Sequence, residues 1–278
     1  MHTLQAIITG AIQGLSEFLP ISSSAHIVFS NEIYEFVIGA KTGTVQEEIF
    51  FSIIIHLATL LAVLIYFFKD LKEIFLGFMV SLKNKDFQNH NFKFVNYVIL
   101  TTIITGIIGL SFKEPVEKLM SNPQIICFFL FVTGLILLAS EKLYKGDKEI
   151  SLKNSILIGI AQGLAIFPGF SRSGLTISTA LFSGVERTKA ARFSFLISIP
   201  IIFLASMIYP LFELDFNAIS SFNHKAMALG FLTSFFVGYI CIKYFMKLLA
   251  KLSLRIFGYY CLVVAVMMFG LFQAYCHH

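Results

Sequence analysis

Charge is scarce in this chain of 278 residues: only 13% are Asp, Glu, Lys or Arg, while 57% are hydrophobic and 32 are phenylalanine. No ordinary soluble domain is so apolar, so the composition points to a polytopic membrane protein. Tryptophan is absent, which removes one marker of the membrane interface and leaves that position to Tyr and Phe. The four cysteines, Cys127, Cys241, Cys261 and Cys276, form no CxxC pair. That excludes a thiolate metal site and a disulfide framework. Basic residues are missing ahead of the first apolar run, so no cleavable signal peptide is expected and the early segments belong to the working protein.

The charges that are present are informative in their placement. Sixteen of the 21 basic residues fall in four linkers. Lys69, Lys72, Lys83, Lys85 and Lys93 form the first, and Lys142, Lys145, Lys148 and Lys153 the second. Arg187, Lys189 and Arg192 form the third, and Lys243, Lys247, Lys251 and Arg255 the fourth. The positive-inside rule places all four on the cytoplasmic side. Nucleic-acid binding is the rival reading of a net charge of +5, but clusters separated by apolar spans do not make a nucleic-acid surface.

Six runs are long enough to cross a hydrocarbon core that needs roughly 20 apolar residues: 49–68, 94–112, 124–141, 190–210, 226–246 and 255–275. Two other apolar regions, 3–39 and 154–185, break near their middles at a proline followed by serines. Their arms are too short to span. To bring the four basic linkers inside, region 1–48 must begin and end outside, and 154–185 must enter and leave from the cytoplasm. Both then read as re-entrant hairpins from opposite faces. The linker 211–225, with Glu213, Asp215 and Lys225, and the C-terminus fall outside.

The expectation is an all-α polytopic membrane protein, a single integral membrane domain over 1–278. It comprises six transmembrane helices plus two re-entrant hairpins in an inverted-topology repeat. Repeat 1 covers 1–141 and repeat 2 covers 152–276, each a hairpin followed by three spans. Sequence supports the duplication. At an offset of 149, "GAIQGLSEFLPISSSA" overlays "GIAQGLAIFPGFSRSG", with Gly10, Gln13, Gly14, Leu15, Phe18, Ser22 and Ser24 meeting identical partners. A second echo aligns the FS pairs at 51–52 and 193–194, which puts His56 opposite Ser198 as packing or supporting groups. Inverted repeats place their binding sites where the broken helices meet, near the midplane.

In the first hairpin, Gln13 and Glu17 are four apart and share a helix face. Pro20 ends that helix, Ser22 or Ser23 caps the next, and His26 follows on its first turn. In the second hairpin, "PGFSRSGLT", Gly169 frees the turn, Ser171 and Ser173 are cap candidates, and Arg172 sits at the helix start. An arginine at membrane depth costs about 2.5–3.5 kcal/mol on insertion scales and takes a polar role. Beside a helix N-terminus it matches phosphate oxygens bidentately. Two helix starts, one arginine and a serine cluster describe an anion site, which diphosphate suits. The plainer alternative is a Glu17–Arg172 pair that stitches helices, with His26 held on a backbone carbonyl. Ser24 and Thr176 are as readily helix-capping groups, Glu186 and Arg187 a solvated boundary, His90 and His224 linker residues, and His277–His278 a tag remnant.

With these two motifs the chain resembles the bacterial undecaprenyl-diphosphate phosphatase family, whose members confer bacitracin resistance. The family's (E/Q)xxxE, PxSS(S/T)xH and PGxSRSGxT patterns stand here as Gln13–Glu17, "PISSSAH" and "PGFSRSGLT". The likeness runs through "ARFSFLISIP" at 191–200. It implies hydrolysis of the C55 isoprenyl diphosphate to its monophosphate and inorganic phosphate, recycling the peptidoglycan lipid carrier. The implied setting is the bacterial inner membrane with the site facing outward, and the implied cofactor is a divalent cation, Mg²⁺ or Ca²⁺. Bilayer lipids are partners, nucleic acid is not, and a homodimer is admitted.

Carried over, Glu17 holds the metal or acts as base. Ser23 is the candidate nucleophile with His26 as its base, or His26 is itself the nucleophile. Arg172 clamps the diphosphate, with Ser22, Ser171, Ser173, Gly174 and Thr176 around the phosphates. Many family members have glutamate where Gln13 stands; an amide oxygen can ligate a hard cation but brings no charge. Another lipid-phosphatase signature, SRxxxxxHxxxD, fails because its histidine position after Ser171–Arg172 is Ser178. The remaining rival is a polyprenyl-phosphate transporter or flippase, which would move lipid without consuming it.

Overall fold

A computed structural model of the chain describes residues 1–39, 43–120, 122–144, 146–213, 219, 221–249 and 252–276. Lys145, Asp215, Lys251 and His277–His278, assigned above to linkers and tail, lie outside the described residues. The described residues fold into twelve helices, with one isolated bridge, Lys148 with Val185, as the only strand-like pairing among them.

Six of these helices are long and apolar enough to cross a membrane: α3 (Val45–Tyr66), α5 (His90–Ser111), α7 (Pro123–Leu143), α10 (Arg187–Glu213), α11 (His224–Leu249) and α12 (Arg255–Cys276). Their apolar spans end within four residues of the six runs expected from hydropathy. Their outer faces carry exposed hydrophobics at helical spacing, such as Ile99, Ile103 and Ile107 on α5. Only a lipid environment makes such a face inexpensive.

The two broken regions are helical hairpins. α1 (Thr3–Ser16) and α2 (Ser23–Ile38) form the first; α8 (Leu152–Leu164) and α9 (Arg172–Phe182) form the second. Each arm has 16 residues or fewer, below the roughly 20 that a span requires. Two further helices lie in stretches read above only as linker or span ends: α4 (Phe68–Lys83) and α6 (Lys113–Met120). Their charged starts, Lys69–Asp70 and Lys113–Glu114, pull hydropathy below a span's level without opposing helix formation.

Hairpin and spans interlock. The first arm of hairpin one packs along α11, and the first arm of hairpin two packs along α5. Small residues make both approaches close: Gly10 and Gly14 meet the backbone of α11 at Gly230 and Ser234, while Gly159 and Gly163 meet Thr101, Ile104 and Ile108 of α5. Without a hydrophobic driving force between helices in lipid, such small-residue seams supply the packing. The α5–α8 seam adds hydrogen bonds from Thr101 Oγ1 to Ser155 O (3.1 Å) and from Thr105 Oγ1 to Gly159 O (3.2 Å). α7 packs on α12, and α3 on α10. The loop of hairpin one is staked by Phe18, fully buried against Phe195 of α10 with ring centroids 5.7 Å apart. That stake fixes the neighbouring Glu17.

Candidate active site

The two hairpin tips meet. Ser173 Oγ donates to Leu19 O in the opposite loop (3.1 Å), and the Gly169 amide donates to Ser24 Oγ (3.3 Å). The second tip is tied as well to α7, where Thr133 Oγ1 accepts from the Ser171 amide (3.2 Å). Gly169 has φ +100°, and a Cβ there would run into the Ile126 carbonyl of α7. Only glycine meets both demands.

Each second arm is capped by one of the two serines named as candidates for it. Ser22 Oγ accepts from the Ala25 amide (3.3 Å), and Ser171 Oγ from the Gly174 amide (3.1 Å). Ser22 does so at φ +71°, ψ +98°, a conformation that strains a residue with a side chain by about 1–3 kcal/mol and that clusters at functional sites.

Between the caps lies Glu17, buried at the end of α1. Its Oε1 accepts from Arg172 Nη2 of the opposite hairpin. Its Oε2 accepts from Ser23 Oγ (3.0 Å) and from Gln13 Nε2 (3.0 Å). Three donors, two from the same hairpin and one from the opposite hairpin, thus share one carboxylate. The plainer reading, a Glu17–Arg172 pair with His26 on a backbone carbonyl, is also present. His26 Nδ1 lies 2.8 Å from Ser22 O. Its Nε2 turns outward to Tyr260 Oη of α12 (2.8 Å), with the rings stacked.

The expected partnership of His26 with Ser23 is therefore not the one the geometry holds. Ser23 bonds the carboxylate instead. Three residues apart, the two share a helix face, yet Ser23 Oγ is taken by Glu17 and His26 Nδ1 by Ser22 O.

Two buried polar atoms at this site have no hydrogen-bond partner among the described residues: Arg172 Nη1 and Gln13 Oε1. A guanidinium N–H and an amide oxygen left dry are each costly unless a ligand meets them. The first suits an anion and the second a cation.

The other expected phosphate-contacting groups are placed near the tip but already engaged. Ser171 and Ser173 hydroxyls are 3.3 Å apart, Thr176 Oγ1 bonds Arg172 O (2.8 Å) and Ser194 Oγ (2.6 Å), and Gly174 fits tightly against Ser171 and Thr133. Ser22 and Ser24 hydroxyls bond each other at 3.1 Å. These residues shape the tip; Gln13, Ser23 and Arg172 gather instead on the Glu17 carboxylate.

Two further groups border this site: His56, which the FS echo set opposite Ser198 as a packing or supporting group, and Tyr260, which the sequence did not single out. His56 of α3 lies within electrostatic range of the Glu17 carboxylate, with its Nδ1 held 2.7 Å from Ser52 O. Tyr260 is joined to His26 across 234 residues of chain. No local pattern announces Tyr260.

What the arrangement offers is a guanidinium, a hydroxyl on a carboxylate, and the N-termini of two helices of 16 and 11 residues at hairpin tips that touch. Helix starts and arginine bind phosphate oxygens, and a hydroxyl hydrogen-bonded to a base is a nucleophile in waiting.

Residues 6–267 match the family described as bacitracin resistance protein BacA. The chain belongs to this family. It is 40% identical over 283 residues to an undecaprenyl-diphosphatase of Methanobrevibacter smithii, covering 97% of each chain. It is 36% identical to undecaprenyl-diphosphatase 2 of Halalkalibacterium halodurans, over 98% of this chain and 97% of that one. An undecaprenyl-diphosphatase of Korarchaeum cryptofilum is 33% identical, over 98% of this chain and all of the other. As a BacA-family protein with six apolar spans, it is a multi-pass membrane protein, and the likeness spans both hairpins and every helix between them.

Proposed function

We infer that this protein hydrolyses undecaprenyl diphosphate to undecaprenyl phosphate and inorganic phosphate, a reaction that renews the lipid carrier of cell-wall synthesis and underlies bacitracin resistance. One observation carries the reading: Glu17, Ser23 and Arg172 converge where two capped helices meet, in a chain alike over its length to proteins named for that activity.

The chemistry follows from who holds whom. In the resting site Arg172 is spent on Glu17. A diphosphate entering between the caps brings more negative charge than one carboxylate, and Arg172 already presents an unpartnered N–H. The guanidinium swings its pairing to the phosphate oxygens, bidentately. Glu17 is thereby released to act on its other neighbour. Ser23 Oγ attacks the terminal phosphorus while Glu17 Oε2 takes the hydroxyl proton; the bond from that phosphorus to the bridging oxygen breaks, and undecaprenyl phosphate departs. Water then hydrolyses the phosphoserine, Glu17 directing the proton, and inorganic phosphate is set free. Positioning and charge neutralisation dominate such a transfer, and fixed dipoles in a water-poor site act strongly. His26, with one ring nitrogen on Ser22 O and the other on Tyr260, holds the cap of α2 and the wall beside it.

A divalent cation fits the donors present in a limited way. Among the described residues no three of His, Cys, Asp and Glu gather. Gln13 Oε1 is nevertheless a buried, unpartnered acceptor next to Glu17. Gln13 and Glu17 would hold the ion, with diphosphate oxygens and water completing its shell, as hard cations accept. A cation held there would supply charge neutralisation for the bound diphosphate.

The membrane arrangement we propose is an inverted repeat with both hairpins re-entrant. Supporting it, α1 packs on α11 as α8 packs on α5, with α3 on α10 and α7 on α12 between the halves. Basic linkers set the cytoplasmic face, so hairpin one opens outward from a bacterial inner membrane. Purified protein in detergent should release phosphate from polyprenyl diphosphate. Protein that leaves the diphosphate intact, yet scrambles lipid in vesicles, would replace the hydrolase with a transporter.

A further inference from the structure

A groove of about 680 Å³ runs along the outer side of the second hairpin, away from the Glu17 carboxylate, lined by residues of α8, of α9 and of the segment joining α7 to α8. Its volume is in the range of ligand pockets. From α8 it takes Lys153, Leu157, Ile160, Ala161 and Leu164. These recur every three or four residues and form one helical face. From α9 come Thr179, Phe182 and Ser183, again at helical spacing. The groove is thus apolar along its length and polar at one end, where Lys148, Ser151, Lys153 and Asn154 gather at the start of α8.

The charge at that end is one-sided. Among the described residues, Lys148 and Lys153 are the only ionisable ones that line the groove, and neither forms an ion pair there. Acids are close by but drawn aside: Asp147, Glu149 and Glu186 surround Lys189, and Glu149 is bonded to it. Lys148 is held in place by its backbone. Its amide donates to Gly184 O (3.0 Å) and its carbonyl accepts from the Glu186 amide (3.2 Å). Two cations beside a 13-residue helix N-terminus favour a phosphate, and the slot behind them, about 18 Å along α8 at 1.5 Å per residue, favours a hydrocarbon chain.

We propose that this groove is a binding site for an anionic phospholipid, its phosphate on Lys148, Lys153 and the start of α8 and one acyl chain laid between α8 and α9. Basic pockets at helix ends between membrane helices select anionic headgroups over zwitterionic ones. Covering Leu157, Ile160, Leu164 and Phe182, which are 39–44% exposed in the protein alone, gives the acyl chain its share of the affinity. Such a lipid would wedge the hairpin that carries Arg172 and stiffen it from behind.

The test is native mass spectrometry of the full-length protein titrated with phosphatidylglycerol or phosphatidylcholine, with folding checked by circular dichroism. The wild type should hold one phosphatidylglycerol through detergent exchange and bind it about tenfold or more tightly than phosphatidylcholine. Lys148→Glu/Lys153→Glu should lose that preference, and Lys148→Arg/Lys153→Arg should keep it. Ile160→Trp, which fills the apolar part and leaves both lysines, should weaken phosphatidylglycerol binding by a similar factor. Equal binding of the two lipids by the wild type would overturn the proposal, as would full binding in the charge-reversed variant. So would unaffected binding in Ile160→Trp, or displacement of the lipid by free glycerol phosphate at equal concentration.

Discussion

The two hairpins invite comparison because the chain aligns them residue by residue, 149 positions apart. Their scaffolds match. Ser22 and Ser171 cap their helices in the same way, each paired with the serine two residues on. Gly10 and Gly14 press on α11 as Gly159 and Gly163 press on α5. The chemistry does not match. Glu17 faces a counterpart Ile166, His26 a counterpart Leu175, and Ser23 a counterpart Arg172. Even the strain is divided differently: the first hairpin places its positive φ on Ser22, the second on Gly169. What a helix needs in order to start at membrane depth is retained in both. The groups that the proposed reaction uses are split, Ser23 and Glu17 on one side and Arg172 on the other, so neither hairpin holds all of them without its opposite.

That division can be broken one side at a time. Arg172→Ala removes everything charged that the second hairpin contributes, and phosphate release should fall about 10³-fold, the scale for deleting a charge-stabilising donor, while circular dichroism stays unchanged. Near-normal turnover in a folded variant would take Arg172 out of the mechanism.

The turns come next in size. Gly169→Ala puts a Cβ against Ile126 O at φ +100°, so thermal unfolding in detergent should report a loss of about 1–3 kcal/mol. Pro20→Ala, at the aligned position of the first hairpin, should cost less. Equal losses would mean that the turns bear the same constraint.

The aligned glutamines sharpen the contrast further. Gln13→Leu should reduce cation-stimulated turnover about 10-fold, the usual effect of disturbing a metal's surroundings. Gln162→Leu, which loses only a bond to Thr105 (3.1 Å), should leave cation dependence alone. The smallest change is expected of Tyr260→Phe. It deletes one hydrogen bond to His26, worth about 1 kcal/mol or roughly fivefold in turnover.

Much of this was legible in the sequence, and the limits have physical reasons. Helix breaks at Pro20 and Pro168, the serine caps and the six spans are local properties, set by backbone sterics, capping and hydropathy. The convergence of Glu17 and Arg172 could be expected because two short-armed segments, read from the basic linkers as entering from opposite faces, would have one place to meet. The bond from Ser23 to Glu17 could not, since it depends on which way a first-turn hydroxyl points once Phe18 has anchored the loop. Tyr260 and His56 sit on spans whose rotation is fixed by packing partners distant in the chain. α4 was hidden by its own charges, which lower hydropathy without lowering helix propensity.

The claim on which the account turns is that Ser23, activated by Glu17, carries the phosphoryl group. A single turnover with polyprenyl diphosphate, quenched in acid and read by peptide mass spectrometry, tests it directly. Phosphate on Ser23, present in wild type and absent in both Ser23→Ala and Glu17→Gln, is the predicted result. Full-rate turnover by Ser23→Ala, or phosphate found on His26 instead, would contradict it.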